Sequence, residues 1–419
     1  MYGSFLKYGR SAGIYFAASF IPMAVLALAN PLIAMNMSPE DYAVTGYYNS
    51  FAALFTPLIV FYFINYYNKR YYETSPEERR RVKAMLFKAL IFFSFGMSLL
   101  CFVMLAAYET VFRDGSGFAV LPYGLMSVAA IPFTGIYRLE QAECRMGRDA
   151  GGYFAITVAS GLLLAATNLF FVVAAGWGAF GKLLAPLATN LAVFIYLVSK
   201  HRALFRVETD RREFREVLKF CLPLTAGAML GYFFNGFDRT YLESLGNVEE
   251  YGYYIVGSQI AGYLGTLSAA ITSTFQPDIY EATAKRDGRM LARTCVMQIG
   301  SIGAVVLAFI VFCPLAVSLL TAGRYVPATP YARIIALSTL TGSVYYIVNN
   351  YTIASGYPKL YLWTTVAGSV FALAAYPPVI RAYGYSGGAF LVGFSFVVLT
   401  AVNIILLAAV RLCGKNHNI

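Results

Sequence analysis

Three sets of residues have the types and spacing to do chemistry. Glu40–Asp41 and Glu249–Glu250 are adjacent carboxylates, Asp238–Arg239 is an adjacent pair of opposite charges, and His201 and His417 are the two histidines. Paired carboxylates can share a proton or hold a cation, a guanidinium can receive a phosphate, and histidines with acids can ligate a metal. The flanking residues decide against catalysis for the carboxylates. In "SPEDYA" (38–43) and "NVEEYGYY" (247–254) a cap residue, Ser38 or Asn247, stands just before the acids, and Pro39 occupies the first helical position. Such residues satisfy the free amides of a helix start and favour its positive end. "SPEE" (75–78) does the same and completes a capping box with Glu78. The histidines are 216 positions apart with no metal-ligand spacing, and no nucleophile elbow, Walker or dinucleotide fingerprint stands in a suitable context. No enzyme activity, metal or other cofactor is expected.

The elements that must position these residues are membrane helices. Of 419 residues, 59% are hydrophobic and 13% charged, where a soluble domain carries about 25% charged residues. Mean hydropathy is +0.61. Runs such as "AMLFKALIFFSFGMSLLCFVMLAAY" (84–108) match the roughly 20 apolar residues needed to cross a bilayer as a helix. The chain holds about twelve such spans, which makes it an all-α polytopic membrane protein. With the N-terminus inside, all of the 32 Lys and Arg but Arg113, Lys182, Arg239, Arg324, Arg333 and Arg381 fall on the cytoplasmic side, Lys7, Arg10 and Lys415 among them. Both termini are therefore expected in the cytoplasm. The cations are scattered over short loops, which excludes a nucleic-acid partner. The six cysteines, Cys144 and Cys413 on the cytoplasmic side and the others in or beside apolar runs, read as small apolar fillers.

The carboxylate motifs also reveal a repeat. At one offset of 209 positions, Glu40-Asp41-Tyr42 lies over Glu249-Glu250-Tyr251, Tyr71 over Tyr280, Thr74 over Thr283, Gly147 over Gly356 and Ser160 over Ser369. Three separated regions sharing one offset predict two parallel six-helix repeats. The expected division is an N-terminal lobe over 1–198, a cytoplasmic linker over 199–216 and a C-terminal lobe over 217–419. Asp210 can cap a helix whose Phe214, Val217, Leu218 and Cys221 share one face, an amphipathic helix at the membrane surface or a solvated connector. Asn30, Asn65, Asn168, Asn190, Asn235, Gln259, Gln298, Asn349 and Asn350 are uncharged polar residues within spans. They suit either a hydrophilic cavity or helix–helix contacts. With 33 Tyr and 33 Phe against 2 Trp, rings serve interfacial belts, and those in excess suit a sugar-binding cavity.

"LPLTAGAMLGYFFNGFDRTYLESLGNVEEYGYYIVGSQIAG" (222–262) resembles the start of the C-terminal half of Wzx-type polysaccharide and O-antigen flippases. These belong to the multidrug/oligosaccharidyl-lipid/polysaccharide exporter superfamily. "MSPEDYA", "AGRYVPATPYARIIAL" and "YGYSGGAF" resemble that family too, so the similarity runs over essentially the whole chain. The resemblance implies a MATE-like, V-shaped fold of two bundles that alternates its opening. It implies a flippase carrying undecaprenyl-diphosphate-linked oligosaccharide repeat units across a bacterial inner membrane. The implied partners are the lipid-linked oligosaccharide and membrane lipids, with a polysaccharide polymerase and a chain-length regulator as candidates. Cationic cavity residues of the family map here onto Arg239, Arg324 and Arg333, and Asp238, Asn235 and Gln259 join them as candidate substrate-binding residues. The chain departs from the family in offering only Lys182 and Arg113 on the N-terminal lobe. The alternative is a cation-coupled multidrug or toxin exporter of the same superfamily, which needs an embedded carboxylate; spans one and seven offer none before Asp238.

Overall fold

In the computed structural model of the protein, the capping sequences open helices as their chemistry dictates. The structure describes residues 2–111, 118–357 and 359–415, without the side chains of 2–13, 15, 16, 19 and 413–415. Lys7, Arg10, Arg113, Cys413, Lys415 and His417 therefore lie outside the described side chains. Ser38 caps helix α2 (Pro39–Val60) in a full capping box: its Oγ accepts from Asp41 N, and Asp41 accepts from Ser38 N at 2.8 Å. Ser75 and Glu78 form the same box at α4 (Pro76–Val111). Asn247 caps α10 (Val248–Ala284) by accepting from Glu250 N at 3.1 Å.

The rest of the chain is also helical, and no strand occurs among the described residues. Before α2 comes α1 (Tyr2–Met35), and α3 (Phe63–Arg70) continues α2 after a 45° bend. Then follow α5 (Leu125–Met146), α6 (Ala150–Asn168), α7 (Gly178–Lys200), α8 (Arg211–Asn235), the short α9 (Phe237–Leu242), α11 (Gly288–Leu320), α12 (Thr329–Ala354) and α13 (Lys359–Lys415). Gly384 breaks α13 into two helices, with φ 57° and ψ −142°, a conformation open to glycine almost alone. Among the described residues eight helices are long and apolar enough to cross a membrane, or nine with the bent pair. The protein is a multi-pass membrane protein. The break in α13, together with α1 and the more polar α12, brings the long segments to the twelve expected.

Two units divide the chain, Met1–Met229 and Leu230–Ile419. The starts of α2 and α10, at 39 and 248, repeat the offset seen in the sequence. Within the first unit α5 packs between α4 and α7, and α1 lies against α6. Tyr47, Tyr48, Phe63, Tyr67 and Phe87 are fully buried in its core. Two of those tyrosines find partners for their hydroxyls: Tyr47 donates to Glu109, and Tyr48 Oη donates to Phe118 O at 2.6 Å. Residues 211–221, read as amphipathic, are the first turns of α8 itself. Asp210 caps this start at 2.8 Å, Val217 and Cys221 are buried, and Phe214 and Phe220 pack on Phe63 and Tyr66. Within the second unit α10, α11, α12 and α13 pack against one another.

The repeated caps also fasten helices together. Asp41 Oδ1 accepts from Ala179 N at 2.8 Å, tying the start of α2 to the start of α7. The counterpart in the second unit is Tyr385 Oη donating to Asn247 O at 2.9 Å, which ties the start of α10 to the second half of α13. Asp41→Ala removes both its half of the capping box and the tie. It should destabilise the protein by about 1–2 kcal/mol, seen as a lower Tm in detergent, whereas Glu40→Ala on the same turn should leave Tm nearly unchanged.

Candidate functional site

The carboxylates singled out by spacing are anchored by tyrosines. Glu249 accepts from Tyr253 Oη at 2.6 Å and Glu250 from Tyr331. Each belongs to helix-start packing, so the pair does not form a shared ion site.

The helix is interrupted at Gly236, which has φ −165° and ψ −17°, between the end of α8 at Asn235 and the start of α9 at Phe237. That break presents Asp238 and Arg239 to α10. Asp238 is buried and accepts from Tyr254, and Arg239 Nη2 donates to Ser258 Oγ at 2.9 Å. Tyr251 Oη donates to the Arg239 carbonyl at 2.9 Å, and Tyr232 bonds Thr240. Asp238 and Arg239 thus bind different partners and do not form an ion pair with each other. Together these bonds fix α9 onto α8 and α10. Gln259 follows Ser258 on α10 and is half-buried. Arg324 is exposed in the turn between α11 and α12, and exposed Arg333 donates through Nε to Ile310 O of α11 at 3.2 Å.

Asn235 opens onto a recess of about 460 Å³ inside the second unit, within the size range of small-molecule sites. One wall is Ser268, Thr272, Ser273 and Gln276 of α10; the other is Ser338, Thr339, Ser343, Tyr346 and Asn350 of α12, with Phe396 of α13 closing it. Positions 268, 272 and 276, and 339, 343, 346 and 350, each recur at the three-to-four-residue spacing of one helix face. No charged side chain lines the recess. Gln276 Nε2 donates to Asn350 Oδ1 at 3.3 Å across it, and Gln298 holds Thr272 at 3.1 Å. Ser343 Oγ is buried without a protein partner. Hydroxyls and amides offer both donors and acceptors, and Tyr346 and Phe396 lie with ring centroids 6.3 Å apart. This lining can pair with many hydroxyls at once and offers an aromatic face, without a fixed charge to neutralise.

Of the six candidate substrate-binding residues Asn235 alone lines the recess, joined there by Asn350 from the polar span residues, and Asp238 and Arg239 follow Asn235 on the adjoining helix. The hydroxyl faces of α10 and α12 escaped the sequence reading, although their spacing is visible. So did an ionic cluster in the first unit. Glu140 of α5 binds Lys200 Nζ at 2.6 Å and His201 Nε2 at 2.7 Å, while Lys83 of α4 binds Glu143. Glu140, Glu143 and His201 bring ligand-type atoms within 4.8 Å of one another. Both carboxylates are already neutralised by lysines, so a metal would have to displace two ammonium groups.

These helices take a fold shared with solved transporters of the MOP superfamily. A multidrug resistance MATE family transporter of that superfamily, in an inward-facing conformation, aligns over 95% of this chain and 99% of its own with a TM-score of 0.68 and 15% identity. The lipid II flippase MurJ, in an inward closed conformation, aligns over 94% and 87% with a TM-score of 0.73 and 12% identity. A MOP superfamily transporter from Pyrococcus furiosus aligns over 96% of both chains with a TM-score of 0.63 and 15% identity. Within this fold the sequence profile of one family, described as polysaccharide biosynthesis protein, matches residues 34–330, and the chain belongs to that family. No curated protein sequence matches the chain.

Proposed function

We propose that the protein is a flippase that moves undecaprenyl-diphosphate-linked oligosaccharide repeat units from the cytoplasmic to the outer leaflet of a bacterial inner membrane by alternating access. The observation that carries this reading is the uncharged hydroxyl- and amide-lined recess beside Asn235, in a transporter fold belonging to a polysaccharide biosynthesis family. Sugar hydroxyls would exchange hydrogen bonds with Ser273, Gln276, Ser343 and Asn350, and a ring face would lie on Tyr346. Arg239, next to the recess along the chain, would turn toward the substrate diphosphate as Ser258 gives it up, with Asp238 holding α9 in place. Arg324, Arg333 and Gln259 would join that binding in an outward-open state. Both termini would be cytoplasmic, and a polysaccharide polymerase and a chain-length regulator would take the product onward into O-antigen or exopolysaccharide.

A cation-coupled drug exporter is the alternative, since one of the structures that this fold resembles is a multidrug resistance MATE family transporter. The recess speaks against it, because none of its lining residues is the carboxylate that cation coupling requires. Deletion in the native host separates the two. Loss of surface polysaccharide with repeat units accumulating on undecaprenyl diphosphate is expected. Normal polysaccharide with new sensitivity to cationic drugs would contradict the flippase reading.

A further inference from the structure

A groove of about 760 Å³ runs between α6 and α7 of the first unit, with the Glu140 cluster at one end. We propose that it seats one zwitterionic aminophospholipid, with an acyl chain along the apolar wall and the headgroup at the charged end.

The wall explains the chain. Helix α6 contributes Gly152, Ala155, Ala159 and Leu163, a single stripe at three-to-four-residue spacing, and α7 contributes Ala192 and Tyr196. Alanine and glycine on that stripe leave a furrow where larger residues would fill it. From Gly152 to Leu163 the helix rises roughly 16 Å at about 1.5 Å per residue. That is close to half of a hydrocarbon core of roughly 30 Å, the depth of one leaflet.

The charged end selects the headgroup. Lys200 spends one ammonium proton on Glu140 and its side chain is 48% exposed, so it has donors left for a phosphate. Carboxylates face it: Asp149 uses one oxygen to cap Gly152 N at 2.8 Å, and Glu143 holds Lys83 with its side chain 36% exposed. A diphosphate or another purely anionic headgroup would meet Asp149, the carboxylate at this end that neither Lys83 nor Lys200 engages, a like-charge contact that costs affinity. A headgroup carrying phosphate and ammonium can place the first on Lys200 and the second on Asp149. A primary ammonium gives that carboxylate N–H donors, which a quaternary one cannot. The site stands apart from the recess near Asn235, which lies in the other unit, and does not depend on the flippase reading.

Native mass spectrometry of the delipidated full-length protein tests the proposal. The probes are equimolar dioleoyl phosphatidylethanolamine, phosphatidylcholine and phosphatidylglycerol. Phosphatidylethanolamine adducts should exceed each of the others about tenfold, the worth of one charge-assisted hydrogen bond. Ala159→Trp plugs the apolar wall without touching the ion pairs and should cut those adducts about tenfold as well. Leu307→Trp, on an exposed face of α11 in the other unit, should leave them unchanged. Equal or greater retention of phosphatidylglycerol or phosphatidylcholine overturns the proposal, and that ranking needs no variant. Unchanged adducts in a folded Ala159→Trp protein overturn it too.

Discussion

Ser273→Trp should reduce polysaccharide export about tenfold or more while leaving the protein's level in the membrane unchanged. Ser273 is exposed on the α10 wall of the recess, so an indole there meets no packed neighbour and enters the space instead. A recess of about 460 Å³ holds one such ring only by giving up room for a sugar. Displacing a substrate by an ångström or so from its working position costs roughly two orders of magnitude in favourable cases, so tenfold is a cautious expectation. Ser301→Trp, exposed on α11 outside the recess, controls for the bulk and polarity of the change. Complementation of a deletion strain, scored as surface polysaccharide against immunoblotted protein, is the measurement. Wild-type export by Ser273→Trp would show that the recess does not receive the substrate.

Stability should turn on one glycine of the same helix. A Cβ at Gly257 would lie 2.8 Å from Ala328 O, 2.9 Å from Ala332 N and 2.9 Å from Tyr331 Cβ. Two of these are backbone atoms and cannot swing away, so α10 and α12 would have to separate. Gly257→Ala should therefore destabilise the second unit by about 1–3 kcal/mol, the usual cost of overpacking, and Gly257→Leu by more. Gly262, five residues along α10, has nothing within 4 Å of the same added atom. Gly262→Ala should be neutral or should stabilise the helix by about 0.5–1 kcal/mol. Opposite signs for two identical substitutions on one helix, read as Tm in one detergent, would place the α10–α12 contact at Gly257. Equal shifts would refute it.

How far the sequence discloses this architecture depends on whether the signal is local. Caps are local, so Ser38, Ser75 and Asn247 mark helix starts that the structure places at the next residue. A repeat is a comparison of local signals, and the 209-residue offset reappears in the paired starts of α2 and α10. The bend after α2 is different. Phe61 and Tyr62 both take φ +52°, a left-handed conformation that aromatic residues rarely adopt, and nothing in their types announces it. Glu140 and His201 lie 61 positions apart, so their pairing emerges only once α5 and α7 are side by side. The recess escaped for another reason. Serine and threonine are near neutral in hydropathy and pass as ordinary span residues, so the amides drew attention while the hydroxyl faces of α10 and α12 did not.

Flipping itself can be measured without a cell. The purified protein would be reconstituted into vesicles carrying an undecaprenyl-diphosphate-linked oligosaccharide with a fluorescent sugar, and membrane-impermeant dithionite would report the leaflet of each label. The account predicts that vesicles with the protein expose nearly the whole labelled pool in time, Ser273→Trp vesicles do so about tenfold more slowly or slower still, and protein-free vesicles expose only the outer half. Equal protection with and without the wild-type protein would contradict the claim that this chain moves lipid-linked sugars.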